Sequence, residues 1–270
     1  LENPKWRNMW DWGLFIGGFV PPLVIGVAFG NLLLGVPLQI DNQQYLTYTG
    51  NLFGLLNPYG LLAGVVGLMM IVTQGATYLQ MRTTGELYLR VRKATYICAL
   101  VTLVAFAGAG VWLVMGIDGY VVTSTIDTLS VSNPLNKTVA VESGAWLTNF
   151  NTYPILWALP ALGVALPLVT MLFSKADKNG LAFVSSSLTI ACIILTCGVA
   201  MFPFIMPSSI MPNASLTMWD ATSSLFTLQV MTVVAIIFVP IVLAYTAWCY
   251  YKMFGRLDKN FIEGNKHSLY

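Results

Sequence analysis

The chain has 270 residues, 57% of them apolar or aromatic and only 9% charged, with a mean hydropathy of +0.73. Soluble domains carry about 25% charged residues, so this composition excludes an ordinary soluble protein and points to a polytopic membrane protein. The net charge of +2 comes from basic residues dispersed over loops, which gives it no nucleic-acid meaning.

A hydrocarbon core about 30 Å thick takes about 20 apolar residues per helix. Six uncharged runs of that order follow one another: Trp12 to Leu34, Pro58 to Met81, Ala94 to Gly116, Pro154 to Phe173, Leu181 to Phe204 and Leu225 to Tyr250. They are continuous, whereas a β-barrel would alternate apolar and polar residues in segments of about ten. The expected fold is an all-α membrane protein: a polytopic bundle of six transmembrane helices, forming a single domain over residues 1–270.

The first span carries WRNMWDWGLFIGGFVPPLVIGVAFGNLLL from Trp6 to Leu34. Pro21 and Pro22 remove two amide donors and clash with the preceding turn, so a kink is expected just before them, freeing carbonyls near Gly17 and Gly18. Small residues recur at four-residue spacing, as Gly13 and Gly17, Gly26 and Gly30, and Gly60 and Gly64 in the second span. In lipid such spacing lets two helix backbones approach closely. No charge or histidine stands nearby to use an opened backbone, so Pro21, Pro22, Gly13, Gly17, Gly26 and Gly30 are taken as a packing device. Asp11 and Asp220 open the first and last spans, where each suits a helix cap or first-turn carboxylate.

Between spans, the loops are uneven. The first outward loop carries QQYLTYTGN, with tyrosines suited to the membrane interface. The third connection, about Ile117 to Tyr153, is the longest and rich in β-branched and turn residues; a short ordered element is expected over about Ala140 to Asn149. Trp12, Trp112, Trp146, Trp157, Trp219 and Trp248 fit an interfacial aromatic belt. Pro160 and Pro167 predict a bend in the fourth span.

Of the 13 lysines and arginines, all but Lys137 fall before the first span, in the second and fourth connections, or in the tail. The excess of positive charge on cytoplasmic loops then places both chain ends in the cytoplasm. LENPKWR resembles the middle of a cytoplasmic loop, so further helices are expected upstream of Leu1.

The span centres hold no ionisable group apart from cysteine and tyrosine, and their deepest polar side chains are Gln74 and Gln229. A transporter or pump working through these spans alone would be expected to carry buried charge. The lone histidine is His267, near the end of the chain, so no span offers an imidazole to a haem or metal. Cys98, Cys192, Cys197 and Cys249 lie inside spans without a CxxC pattern and suit helix packing.

The stretches WRNMWDWGLFIGGFVPPLVIGVAFGNLLLGVP, TQGATYLQMRTTGEL, GIDGYVV, MFPFIMPSS, NASLTMWDATSS and YTAWCYYKMFGR resemble subunit II of the cytochrome bd-type ubiquinol oxidases of bacteria. The resemblance runs over essentially the whole chain and corresponds to the C-terminal two-thirds of the family chain. It implies a multi-pass subunit in the bacterial cytoplasmic (inner) membrane. The complex would oxidise ubiquinol and reduce dioxygen to water, generating a proton motive force. It implies two haems b and one haem d held by a partner, subunit I, with room for small accessory subunits. Subunit II would support assembly and stability and help deliver protons, and some members hold a structural quinone. The resemblance carries no catalytic residue onto this chain. Asp11, and His267 and Tyr270 in the tail KHSLY, are the proton-entry candidates. The alternative from another class is a six-helix permease for a small solute.

Overall fold

The computed structural model describes residues 4–41, 43, 45–125, 133–252 and 254–255. Among them are six helices long and apolar enough to cross a membrane. These are α1 (Pro4–Leu34), α2 (Pro58–Arg82), α3 (Gly85–Gly116), α5 (Ala158–Lys175), α6 (Asn179–Met201) and α7 (Leu225–Lys252). A short α4 (Thr148–Thr152) and a 3-10 turn over Pro154–Trp157 lead into α5.

Several helix ends differ from the hydropathy estimate. α1 is already helical at Pro4, the first described residue, and so Asp11 stands inside the helix rather than at its start. α1 also runs through Pro21 and Pro22 without ending. α3 starts at Gly85, not Ala94, which puts Arg90, Arg92 and Lys93 on the helix. Long basic side chains can lie along a helix while their charged ends reach water, so charge alone does not end a span. At α2, Asn57 caps the helix by accepting from the Gly60 N–H at 2.7 Å, and Pro58 takes the first position.

α2 is central: it packs on α1, α3 and α6, while α5 packs on α3 and α6. Its N-terminal half meets α1 through glycines. A Cβ on Gly26 would stand 2.6 Å from the Ala63 carbonyl oxygen, and one on Gly30 would stand 2.9 Å from the Gly60 Cα. One on Gly67 would stand 3.0 Å from the Pro22 carbonyl oxygen. The two backbones are therefore as close as glycine permits. Gly13, Gly17 and Gly18, earlier on α1, meet nothing within 4 Å.

The first, third and fifth connections assemble at one end of the bundle. Each forms a small antiparallel hairpin: β1 (Leu38–Ile40) with β2 (Leu46–Tyr48), β3 (Asp118–Val122) with β4 (Val139–Ser143), and β5 (Phe204–Met206) with β6 (Leu216–Thr217). These strands are absent from the all-α expectation; β4 falls at the start of the ordered element expected there. The Val36 N–H donates to the Pro207 carbonyl at 2.8 Å, the Ser208 hydroxyl to the Leu38 carbonyl at 2.6 Å, and the Val139 N–H to Asn213 Oδ1 at 2.8 Å. Gly35 ends α1 in the left-handed region (φ +82), where a side chain would strike the Tyr120 hydroxyl. Beneath this cap Leu33, Tyr59, Tyr120, Trp146, Phe150 and Phe204 form one core. Trp146 is only 2% exposed. The cap covers it. Burial first, and then the Asp118 carboxylate, raise the pKa of the Tyr120 hydroxyl above its ordinary value.

The other end gathers the second and fourth connections. Arg92 pairs with Asp177 at 3.0 Å and donates to the Lys175 carbonyl at 2.8 Å, while the Tyr88 hydroxyl donates to Asp177 at 2.7 Å. Arg82 lies over the rings of Tyr78 and Phe254. The basic residues of these connections thus share one end of the molecule.

Candidate functional site

An apolar cavity of about 400 Å³ lies between α1, α2, α3 and α6, with Pro160 and Val164 of α5 on its wall. The glycines that let α1 and α2 touch also shape it, since Gly26, Gly30 and Gly67 line it together with Gly110. Its wall bears no charged side chain. The polar side chains on it are Tyr59, Thr196 and Cys197, and the Thr196 hydroxyl is already donated to the Cys192 carbonyl at 2.7 Å. Tyr59 is held edge-on against Trp112, with ring centroids 5.7 Å apart. The stretch just before Tyr59 is fixed by an asparagine pair. Asn57 donates to Asn31 Oδ1 at 2.7 Å, and Asn31 donates to the Leu55 carbonyl at 2.7 Å and to the Val27 carbonyl at 2.8 Å.

The C-terminal half of α2 is polar instead. Gln80, 1% exposed, donates from Nε2 to Thr95 at 2.6 Å and accepts from Ser174 at 2.8 Å, tying α2 to α3 and α5. Gln74 donates to Ser187 of α6 at 2.7 Å. Thr170 and Ser185 join α5 to α6 at 3.1 Å. Thr73, Thr102 and Thr189 return their hydroxyl protons to carbonyls one turn back on their own helices. These bonds hold helices together and satisfy these buried polar groups apart from Gln74 Oε1, which has no partner among the described residues; they contain no acid or base that takes up a proton.

In the cap, Lys137 and Asp220 form a buried ion pair at 2.6 Å, with side chains 2% and 9% exposed. Lys137 also donates to the Pro134 carbonyl at 2.6 Å, and Asp220 accepts from the Thr217 N–H at 3.2 Å and from its hydroxyl. Asp220 therefore does not cap α7, which begins at Leu225; it fastens the fifth connection to the third. The sequence held a signal for this, because Lys137 is the one basic residue in the first, third and fifth connections, but nothing in it named the partner.

The remaining site candidates do not converge. Asp11 is exposed on α1, on the part of that helix where Gly13 and Gly17 stand free within this chain. His267 and Tyr270 lie outside the described residues. Pro22, Gly26 and Gly30 line the cavity, and Pro21 precedes them on α1. Tyr59, Asn31 and Gln80 were not singled out by the sequence. As isolated polar residues in apolar runs they carry no spacing that distinguishes them.

Residues 1–253 match the family model described as cytochrome bd terminal oxidase subunit II. The chain is 69% identical over its whole length to the cytochrome bd-I ubiquinol oxidase subunit 2 of Escherichia coli K12, covering 71% of that protein. It is 59% identical, again over its whole length and 71% of the relative, to a probable cytochrome oxidase subunit 2 of Haemophilus influenzae. Identity is 26% over 263 residues, 96% of this chain and 67% of the relative, to the cytochrome bd ubiquinol oxidase subunit 2 of Bacillus subtilis. These matches set aside the permease alternative, and the chain belongs to the family of cytochrome bd terminal oxidase subunit II.

Proposed function

We propose that this chain is the supporting subunit of a bacterial membrane complex that oxidises ubiquinol and reduces dioxygen to water, and that the haem-binding side chains belong to its partner, subunit I. The observation that carries this division of labour is the absence of any imidazole from the six spans, the single histidine being His267. The cavity wall does not fit a haem either. Met70 and Cys197 are its soft donor atoms, and no cation lines it to pair with haem propionates. The two haems b and the haem d are therefore assigned to subunit I, and this chain contributes a rigid frame.

Two finer roles accompany that frame. The uncharged cavity between α1, α2, α3 and α6 suits the apolar chain and neutral ring of a structural quinone. The clustering of Arg82, Arg92 and Lys175 at one end supports a topology with that end, and both chain ends, in the cytoplasm. Proton entry from that side is assigned to Asp11, His267 and Tyr270. Asp11→Asn and Tyr270→Phe should each slow turnover-linked proton uptake without loss of haem; unchanged uptake in both would leave the chain a scaffold.

The test of the main reading is to purify the complex, separate the two subunits under mild denaturation and record haem on each. Haem should follow subunit I. Haem bands remaining with this chain alone would overturn the assignment.

A further inference from the structure

Four of the helices form a ring. α2 packs on α3 and α6, and α5 packs on the same two, so α3 stands opposite α6 and α2 opposite α5. Inside the ring lies a void of about 10 Å³ that all four helices reach with hydroxyls: Thr73 from α2, Thr102 from α3, Thr170 from α5, and Ser186 and Thr189 from α6. None of these five residues is more than 5% exposed. The threonines have already given their protons away. Thr73, Thr102, Thr170 and Thr189 donate to the carbonyls of Met69, Cys98, Leu166 and Ser185 at 2.7, 2.8, 2.9 and 3.0 Å. Each of their oxygens keeps lone pairs, so the threonines offer the void acceptors and no donor. Ser186 differs: it is 2% exposed, and among the described residues its hydroxyl has no hydrogen-bond partner. Its proton is a buried donor that calls for an acceptor. Pro167, also on the wall, has no N–H, which leaves the α5 ladder one donor short at this level.

We propose that this void is a binding site for one water molecule, which accepts from the Ser186 hydroxyl and donates to the oxygens of Thr73 and Thr102. A void of this size has room for one water and nothing larger, and buried waters ordinarily make about three hydrogen bonds. The wall matches that valence, with one free donor against several acceptors. A monovalent cation would also find hydroxyl oxygens here. It would stand in the membrane interior without a counter-charge, because no carboxylate lines the void, and neutral water carries no such cost. Met70 lines both this void and the apolar cavity, so a thioether side chain separates the polar site from the hollow beside it. The water completes a pattern. Gln80 joins one diagonal of the ring, α2 to α5, by accepting from Ser174 at 2.8 Å, and the water joins the other, α3 to α6. It acts as a bolt through the frame, and no proton transfer runs through it.

The test uses the purified two-subunit complex, imaged by cryo-electron microscopy at a resolution that shows ordered water. The native complex should show one peak in the void, about 2.5–3.0 Å from the oxygens of Ser186 and Thr102. Ser186→Ala with Thr102→Val removes the donor and one acceptor, and the peak should disappear. In thermal unfolding of the same complexes, the double variant should lower the midpoint by less than the sum of the two single shifts, because both act through one shared molecule. The absence of a peak in the native void would overturn the proposal. So would a peak that persists at full strength in the double variant, or thermal shifts that add. A peak that fades when the sodium and potassium of the buffer are replaced by a bulky organic cation would overturn it in favour of a cation site. The native map and the cation exchange use the unaltered complex, so they decide the matter even where a variant does not assemble.

Discussion

The two halves of α2 solve the same problem by different chemistry. Toward the cap, Gly26 and Gly30 of α1 stand so close to α2 that a single methyl on either would strike the backbone at Gly60, Ala63 or Gly64. Toward the other end, Thr73, Gln74, Thr77 and Gln80 give a face of hydrogen bonds, several of them to α3, α5 and α6. Apolar surface alone does not hold helices together in lipid, which leaves close packing and polar contact as the means. Close packing also leaves hollows where it stops, and the large apolar cavity lies beside the glycine half. Among the side chains of the polar half lies a small void of about 10 Å³, lined by Thr73, Thr102, Thr170, Ser186 and Thr189 together with apolar neighbours.

The comparison sharpens where a charge is buried outside both halves. Lys137→Met removes one side of the buried Lys137–Asp220 ion pair and should cost up to about 3–5 kcal/mol. Lys137→Met with Asp220→Leu should recover much of it, as read from the thermal unfolding of the purified complex. Gly26→Leu attacks the glycine half and is expected to cost about 1–3 kcal/mol or more, because the atoms it meets are backbone and cannot turn aside. Gln80→Leu attacks the polar half. Its expected cost is smaller, about 0.6–2 kcal/mol, since hydrogen bonds between membrane helices compete with partners available in the unfolded state. A larger loss for Gln80→Leu than for Gly26→Leu in the same assay would reverse the ranking. Gly13→Leu should change the stability of this chain's own packing by less than about 0.5 kcal/mol, because nothing lies within 4 Å of that position. A marked loss of co-purifying subunit I in Gly13→Leu would instead place the partner on that face of α1.

Hydropathy made the six helices legible, and the reasons it misplaced their ends are physical. Arg90 and Arg92 lie on α3 because their side chains reach water from a helix, so a window that stops at charge stops too late to find Gly85. The same four-residue glycine spacing marks Gly13 with Gly17 and Gly26 with Gly30, yet only the second pair meets a neighbour within this chain. Spacing records the capacity for close approach; which helix arrives is a tertiary fact. The three hairpins were missed because each strand has five residues or fewer and is fixed by pairing across the cap. Asp220 looked like a helix cap because it stands just before an apolar run, while its partner Lys137 is 83 residues away. Tyr59 gave no signal at all: a tyrosine at a span end is ordinary in a membrane protein, and only the cavity beside it makes its hydroxyl notable.

The central claim is that this chain is a frame without haem of its own whose helix seams keep the partner's haems in place. The most direct measurement is the reduced-minus-oxidised optical spectrum of membranes in which subunit I is co-expressed with either the native chain or the double variant Gly26→Leu and Gln80→Leu, with both chains quantified. Membranes with the double variant should lose the haem d and haem b bands in proportion to the loss of this chain. Full haem bands and full quinol-dependent oxygen consumption in membranes from which the double variant has disappeared would contradict it.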